Sequence, residues 1–268
     1  MPVRTDVAMG TVITIQVPSG DGAAEALDRA FRWFYEVESR CTRFDPESEL
    51  MKLTSKVGVS VPASAILFEA LRFAWMAAEA SGGAFDPTVQ QVAEGVSYLD
   101  VVLDSERQSI MLRRPLTLDL GGVAKGLAVD MAARELAPLR DFAIDAGGDL
   151  YLGGSNEHGS PWRVGVRHPR NKEELIGSLQ VSNQAVCTSG DYERPGHILD
   201  PRTGVSPESF ASVTVVAPSA MLADALATAA FVLGPEDGLA LLESHGVDGL
   251  ILTADLQPRK TRGLPHVA

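Results

Sequence analysis

The chain has 268 residues, of which 45% are hydrophobic and 22% charged, with 25 glycines, 16 prolines and 2 cysteines; this composition excludes a disordered, collagen-like or disulfide-stapled chain. Acidic residues outnumber basic ones by 35 to 23, and the formal net charge of -12 repels nucleic acids and anionic membranes, so neither is expected as a partner. A small anionic ligand would need local help from backbone amides, a lysine or a metal ion.

No segment of the sequence predicts export or stable membrane insertion. The apolar stretch at residues 12–17 is too short for a signal sequence, and the most apolar helical stretch, residues 220–234, contains Asp224 and falls short of the ~20 residues of a membrane span. Cys41 and Cys187 lack CxxC spacing and are typical of reduced core cysteines. We therefore expect a cytoplasmic location.

The periodicity of apolar residues predicts, in chain order, a strand, a helix, a polar loop and a second helix, and then a region rich in short strands. The predicted helices cover residues 27–41, 64–81, about fifteen residues from Gly121, 219–233 and 239–244. The predicted strands cover residues 12–17, 100–103, 109–112, 116–120, 142–146, 150–152, 162–166, 175–181, the neighbours of Cys187, 197–199, 212–217 and 249–252, with exposed loops at 156–160 and 169–174. Because strands follow one another without intervening helices, the expected fold class is α+β, with antiparallel sheets and packed helices in a single domain over residues 1–268.

A glycine turn lies within residues 118–126, LDLGGVAKG, where a strand is predicted to run into a helix. Gly121 and Gly122 would let a ligand approach the backbone, and the free amides of the helix N-terminus attract anions such as phosphate. The segment lacks the GK[ST] and GxGxxG patterns, so a plain turn with a surface Lys125 remains an equal alternative. Residues 147–149, GGD, read by themselves as a turn between strands.

Asp224 and Thr228 lie in an otherwise apolar helical segment and are separated by four residues, so their oxygens share one helix face. A carboxylate with a hydroxyl is a hard-oxygen set that suits Mg²⁺. The alternative is local pairing of the carboxylate, with the threonine hydroxyl bonded to a carbonyl one turn earlier. A buried, unpaired carboxylate is costly, and this favours the metal.

Two further segments carry candidate chemistry. Near Ser189 and Gly190 the hydroxyls could donate to a phosphate, and His197 could be a general base near neutral pH, although a single histidine is more often structural. Phe85 precedes an Asp-Pro turn that begins at Asp86 and could stack on a flat ring; a core phenylalanine beside a turn is the plainer alternative.

Taken together and in order, these segments resemble the ApbE family of FAD:protein FMN transferases. The matching segments are Met9-Gly10-Thr11, Arg43-Phe44-Asp45, Ser48-Glu49-Leu50, Phe85-Asp86-Pro87-Thr88, LDLGGVAKGLAVD, AGGDL, TSGDYER, HILDPRTG and ADALATAAFVLG. The resemblance covers nearly the whole chain and implies a T-fold-like α+β arrangement. It also implies Mg²⁺-dependent transfer of FMN from FAD to a Thr or Ser of an acceptor flavoprotein or redox-complex subunit, with release of AMP.

The resemblance also assigns roles to residues. Asp224 and Thr228 match metal-binding side chains, with a backbone carbonyl near Ala124 as a further ligand, and His197 matches the histidine of the HxxDP motif beside the reacting phosphate. His197 and Asp224 are thus the catalytic candidates. The residues expected around FAD are Met9, Phe85, Asp86, Tyr98, Asp119, Gly121, Gly122, Lys125, Ser189, Gly190 and His197.

Two alternatives use the same site. A Mg²⁺-dependent FAD pyrophosphatase would replace the acceptor hydroxyl by water and release FMN and AMP. A FAD-binding protein without turnover is favoured by one departure from the family pattern, because the stretch between Pro87 and Tyr98 is shorter than the family's.

Overall fold

The computed structural model describes residues 1–88, 95–190, 196, 198–207 and 210–264. Within these residues the chain forms antiparallel sheets together with α-helices, which confirms the α+β class. The strands are β1 (Val3–Ala8), β2 (Thr11–Gln16), β3 (Val61–Pro62), β4 (Val101–Asp104), β5 (Ser109–Leu112), β6 (Phe142–Ala146), β7 (Asp149–Gly153), β8 (Trp162–His168), β9 (Asn171–Val181), β10 (Gln184–Ser189), β11 (Phe210–Ala217), β12 (Asp248–Thr253) and β13 (Pro258–Lys260). The helices are α1 (Ala23–Cys41), α2 (Glu49–Thr54), α3 (Ala65–Ala80), α4 (Gly121–Leu136), α5 (Ala220–Leu233) and α6 (Pro235–Ser244), and short 3₁₀ helices cover Tyr98–Asp100 and Ala137–Leu139.

The largest sheet has the strand order β1-β2-β6-β7-β10-β11-β12-β13, while β3-β5-β4 and β8-β9 form smaller sheets. Successive side chains of a strand face opposite sides of the sheet. In β10, Ala185 and Cys187 therefore pack with the helices, whereas Val186 lies in a separate cluster with Val166 and Leu179 of the β8–β9 hairpin. Helices cover one face of the large sheet, and the hairpin covers part of the other.

Serine caps set where two of the helices begin. The hydroxyl of Ser64 accepts the amide of Leu67 at 3.2 Å at the start of α3, and that of Ser219 accepts the amide of Leu222 at 3.3 Å at the start of α5. Nearly every side of α5 is buried, as its Ala-rich sequence indicates. In the part of the chain that the structure describes, no helix is both long and apolar enough to cross a membrane.

Two predicted strands are wrong. Residues 116–120 bury alternate leucines, as a strand would, but form no strand, and the amide of Asp119 donates to the carbonyl of Pro87 at 2.8 Å. Residues 198–199 also lie outside any strand, and His197 lies outside the described residues. The alternating pattern of residues 116–120 thus predicts burial correctly, although the backbone there pairs with a loop and not with a strand.

Other elements were absent from the prediction. Most residues of β1 are exposed on both faces, so the strand lacks the alternation that identifies strands in sequence. Helix α2 is short and follows a polar loop, where Ser48 caps it by accepting the amide of Met51 at 3.1 Å. The loop predicted at residues 169–174 is shorter than expected, because β9 begins at Asn171.

Two tight turns lie side by side at one end of the large sheet. Met9 and Gly10 join β1 to β2 with φ values of 53° and 70°, and Gly147 and Gly148 join β6 to β7 with φ values of 64° and 97°; two left-handed residues in a two-residue hairpin are typical of a type I′ turn. The side chain of Thr11 fills the space that a side chain at Gly147 would need. The contact therefore joins the start of β2 to the turn that precedes Asp149, the first residue of β7.

Candidate functional site

Helices α4 and α5 run antiparallel along a line of close contacts. A side-chain carbon at Gly122 would lie 3.6 Å from Thr228 Oγ1, and one at Gly126 would lie 2.5 Å from Met221 Cα. Residues four apart share a helix face, so the contact joins one row of residues on α4 to one row on α5. We call this contact the α4–α5 seam, formed by Gly122, Gly126 and Asp130 of α4 and by Ala220, Asp224 and Thr228 of α5.

The first turn of α4 forms the candidate phosphate site. The carboxylate of Asp119 accepts the amide of Gly121 at 2.8 Å and pairs with Arg43 at 3.2 Å. The amide of Val123 donates to the carbonyl of Leu120. Among the first three amides of α4, and within the described residues, that of Gly122 therefore has no partner, and a helix N-terminus with a free amide suits an anion.

Gly122 joins three of the predicted site residues. A side-chain carbon there would lie 2.8 Å from a ring carbon of Phe85, so only glycine lets this buried ring pack against the turn. The same position is 3.6 Å from Oγ1 of Thr228, and this hydroxyl is 3.2 Å from that of Ser189 at the end of β10. The structure thus brings together Phe85, Gly122, Ser189 and Thr228, which lie far apart in sequence.

A buried group of charges lies beside this contact. Lys125 forms an ion pair with Asp149, whose carboxylate is almost fully buried. Burial opposes the charge on Lys125, but the charges of Asp149 and Asp224 prevail and raise its pKa above the ordinary value. Burial and then the charge of Asp149 raise the pKa of Asp224, while Lys125 acts in the opposite direction. The lysine charge is thus shared between two carboxylates.

Cys187 of β10 lies near the charges of Lys125, Asp149 and Asp224, and its thiol is unreactive. Its thiol lies 3.5 Å from the carbonyl oxygen of Ala220. Burial, followed by the charges of Asp149 and Asp224, raises the pKa of this thiol well above its ordinary value. A thiol that stays protonated is a poor nucleophile and a poor metal ligand, so the chemistry at this position rests on oxygen atoms.

Asp224 carries the observation that bears on a metal ion. Asp224 is 8% exposed, and its Oδ2 atom is buried and has no hydrogen-bond partner among the residues that the structure describes. A buried carboxylate oxygen in this state is costly, whereas a Mg²⁺ ion would satisfy it, and Thr228 offers a second hard oxygen one turn away. These residues therefore fit the metal. In the described residues no three His, Cys, Asp or Glu side chains are grouped to hold an ion, so water and substrate oxygens would complete the shell.

Asp86 organises the loop beside Phe85. Its Oδ1 atom accepts the amide of Thr88 at 2.8 Å and its hydroxyl at 2.7 Å, and Oδ2 accepts the amide of Tyr98 at 3.1 Å. The ring of Tyr98 meets that of Trp75 edge to face, with centroids 5.8 Å apart. Asp86 thus acts through the backbone and holds two aromatic side chains of the candidate site in place.

The remaining predicted site residues are placed less directly. Met9 lies half-buried in its hairpin turn and packs against the main core. Ala124 is buried on α4, two positions after Gly122, and Gly190 follows β10 directly. His197 lies outside the described residues, as does the segment 191–195.

Sequence reasoning missed three residues that shape the site: Arg43, Asp130 and Asp149. In the sequence Asp149 reads as part of a plain glycine turn, and its burial beside Lys125 leaves no signal in a single sequence. Asp130 could have been found, because Gly122, Gly126 and Asp130 repeat every four residues. That is also the spacing of Ala220, Asp224 and Thr228.

Phe44 is a further feature of this region. It is 81% exposed, and the guanidinium carbon of Arg43 lies 4.5 Å from the centre of its ring. Because Arg43 also pairs with Asp119, the exposed ring is tied to the glycine turn. A ring held in this way offers a flat face to a ligand.

Comparison with known proteins places these features in a family. The model of the ApbE family matches residues 9–251. The chain is 32% identical over 183 residues to the FAD:protein FMN transferase of Haemophilus influenzae, covering 60% of this chain and 52% of that protein, so it spans about half that relative's length. It is 31% identical over 317 residues to the FAD:protein FMN transferase of Treponema pallidum, covering 97% and 87% of the two chains. The crystal structure of the ApbE protein of Thermotoga maritima superposes with a TM-score of 0.90 at 27% identity and covers 97% of each chain.

Proposed function

Because the chain belongs to the ApbE family, we propose that it is a Mg²⁺-dependent transferase that moves FMN from FAD to a Thr or Ser hydroxyl of an acceptor protein and releases AMP. The observation that carries this proposal is the buried Oδ2 atom of Asp224, which has no hydrogen-bond partner within the described part of the chain. It lies on the α4–α5 seam, beside a helix N-terminus that suits a phosphate. The site thus offers an oxygen that can bind a metal ion and an amide that can bind a phosphate, and a metal-bound pyrophosphate substrate needs both.

The reaction exchanges one P–O bond for another. The acceptor oxygen attacks the phosphorus on the FMN side of the FAD pyrophosphate, the bond from this phosphorus to the bridging oxygen breaks, and AMP leaves with that oxygen. The hydroxyl proton goes to a base, and His197 is our candidate. Such transfers depend on charge neutralisation and in-line positioning more than on covalent help from the protein.

The residues of the chain divide this work. Asp224, Thr228 and the carbonyl near Ala124 would hold Mg²⁺, which when bound neutralises charge on the pyrophosphate. The amide of Gly122 binds a phosphate oxygen, and Lys125 keeps the buried carboxylates from repelling the substrate. This local positive charge is needed because the chain as a whole carries a net charge of -12.

The remaining predicted residues would bind the rest of FAD. Tyr98 would present aromatic surface beside the buried ring of Phe85, which packs against the glycine turn, while Asp86 and Asp119 fix the loops at the site. Met9, Gly121, Ser189 and Gly190 would contact other parts of FAD. The exposed ring of Phe44 would add a stacking face at the mouth of the site.

The proposal is tested with purified protein, FAD and Mg²⁺. The acceptor is the flavin-free soluble domain of a flavin-carrying redox-complex subunit, and its matched control has the acceptor Thr or Ser changed to Ala. We expect flavin fluorescence that stays with the acceptor after denaturation, together with an equal amount of AMP, and neither product with the control acceptor. AMP and free FMN without acceptor would instead identify a FAD pyrophosphatase, and FAD binding with no AMP would identify a binding protein.

A further inference from the structure

At the end of the α4–α5 seam opposite Thr228, Asp130 of α4 caps the N-terminus of α5. Its Oδ1 atom accepts the amide of Ala220 at 2.7 Å, and its Oδ2 atom accepts the amide of Met221 at 3.0 Å. These are the first two amides of the helix, which have no partner within it. One buried side chain of α4 thus fixes both the position and the direction of α5.

The seam between this cap and the candidate site leaves little freedom. Gly126 lies midway, and a side-chain carbon there would be 2.5 Å from Met221 Cα and 2.7 Å from the carbonyl carbon of Ala220. The two backbones therefore touch directly, with no side chain between them that could adjust. A shift of α5 at the cap would move Asp224 and Thr228 relative to Gly122, since a helix transmits displacement along its axis as a rigid element.

We infer that Asp130 is a positioning residue, which sets the distance between the metal side chains of α5 and the phosphate-binding turn of α4. It touches neither the substrate nor the metal; it acts through the two amides at the start of α5. The inference rests on the proposed function, because it concerns the same Mg²⁺ and FAD site.

Charge gives independent support for this role. Burial raises the pKa of Asp130 to about 6, although its bonds to the amides of Ala220 and Met221 and the charge of Arg134 lower it. An ionised carboxylate at this position therefore works against folding near neutral pH. The neutral hydroxyl of Ser219 already caps the same helix, so a carboxylate is not needed merely to begin α5. What it adds is a second, two-point attachment to α4.

The test measures the FAD affinity of the full chain by flavin fluorescence across a Mg²⁺ titration, and also in EDTA. The variants are Asp130→Ala, which removes both acceptors, and Asp130→Asn, which keeps one. Ser64→Ala is the matched control, because it removes the cap of α3, a helix that carries no metal candidate. Thermal unfolding of every variant shows how much stability each change costs.

We expect Asp130→Ala to raise the Mg²⁺ concentration at half-effect by tenfold or more, with Asp130→Asn intermediate, while FAD affinity in EDTA changes less than twofold. Ser64→Ala should lower the melting temperature without moving the Mg²⁺ midpoint. The inference would be overturned if a folded Asp130→Ala variant had the wild-type Mg²⁺ midpoint. It would also be overturned if FAD binding to the wild type did not depend on Mg²⁺. If Asp130→Ala does not fold, the Asp130→Asn midpoint decides.

The transfer assay separates this inference from the proposed function. If wild-type protein binds FAD in a Mg²⁺-dependent way and transfers no flavin, the proposed function fails. A shifted midpoint in the Asp130 variants would still support the positioning role in that case.

Discussion

The α4–α5 seam buries two aspartates, Asp130 at one end and Asp224 in the middle, and the two aspartates differ in their partners. Asp130 uses both oxygens, which accept the amides of Ala220 and Met221. Asp224 lies one turn further along α5 and has one buried oxygen without a partner in the described residues. Burial raises the pKa of both carboxyl groups. The same residue type in the same seam thus caps a helix at the end of the seam and, one turn along α5, leaves one buried oxygen without a partner among the described residues.

Their surroundings explain the difference. Asp130 meets the start of a helix, where free amides supply hydrogen-bond donors. Asp224 lies in the middle of α5, where the backbone amides are already used, and its charged neighbours are Lys125 and Asp149. Burial therefore identifies neither role by itself; the available donors do.

Of the changes that test the difference between the two aspartates, a substitution of Asp224 should have the largest effect. We expect Asp224→Asn to fold with undiminished stability, because it replaces a buried carboxyl group whose second oxygen has no partner among the described residues. It should lower the Mg²⁺-dependent transfer rate by roughly a thousandfold, since a bound metal contributes several kcal/mol to such a reaction. Single-turnover rates against Mg²⁺ concentration and circular dichroism measure the two effects. Asp237→Asn, at an exposed carboxylate of α6, is the control and should change neither; a wild-type Mg²⁺ response in folded Asp224→Asn would move the metal elsewhere.

The stability of the folded chain should depend on pH because of Asp130. The pKa of Asp130 is about 6 in the folded chain against an ordinary value of 3.8, so its stabilising contribution is complete below 3.8 and lost as pH rises through 6. A difference of two pKa units corresponds to about 3 kcal/mol. Urea unfolding from pH 4 to pH 7 should therefore show the stability of the wild type falling relative to that of Asp130→Asn.

The other groups facing Asp130 should not mimic this change. They are Arg134 of α4, Tyr151 of β7 and Cys187 of β10. Burial raises the pKa of Tyr151 and of the Cys187 thiol, which moves both further above the range from pH 4 to pH 7. Other carboxyl groups of the chain contribute equally to both proteins, so the difference isolates Asp130. A constant difference across this range would show that the carboxyl group is not perturbed.

The close contact between α4 and α5 is tested by adding a methyl group at Gly126. Gly126→Ala places a carbon 2.5 Å from Met221 Cα, so α4 and α5 must separate, at a cost of about 2 kcal/mol. Gly238→Ala is the matched control, because its methyl would meet the carbonyl oxygen of Ala230 at 2.8 Å on the α6 side of α5. Both variants should lose stability in urea, but we expect only Gly126→Ala to raise the Mg²⁺ midpoint for FAD binding. Equal midpoints would mean that the seam does not set the metal position.

The sequence predicts some of these features and not others, for physical reasons. The burial of α5, the shared face of Asp224 and Thr228, and the glycine turn follow from helix periodicity and from turn chemistry, which are local. The pairing of Lys125 with Asp149 and the capping of α5 by Asp130 join residues 24 and 90 positions apart. The four-residue repeat of Gly122, Gly126 and Asp130 indicates that they share a helix face, but no local pattern indicates which distant residue each of them contacts. The strand predicted at residues 116–120 is wrong for the same reason, since its backbone partner is a distant turn.

The smallest effect is expected at Thr228, where the site adjoins Ser189. The hydroxyl of Thr228 lies 3.2 Å from that of Ser189 and close to Gly122, so it can serve the metal and also order the contact between α5 and β10. Thr228→Ala removes a neutral oxygen, whose contribution is worth about tenfold in affinity, and should raise the Mg²⁺ midpoint by about that factor. Thr228→Ser keeps the oxygen and should stay near the wild type, whereas Thr228→Val keeps the shape and should behave like the alanine variant. If serine and valine have equal midpoints, the methyl group matters and the hydroxyl is not a ligand, which leaves Asp224 as the only side chain proposed for the metal.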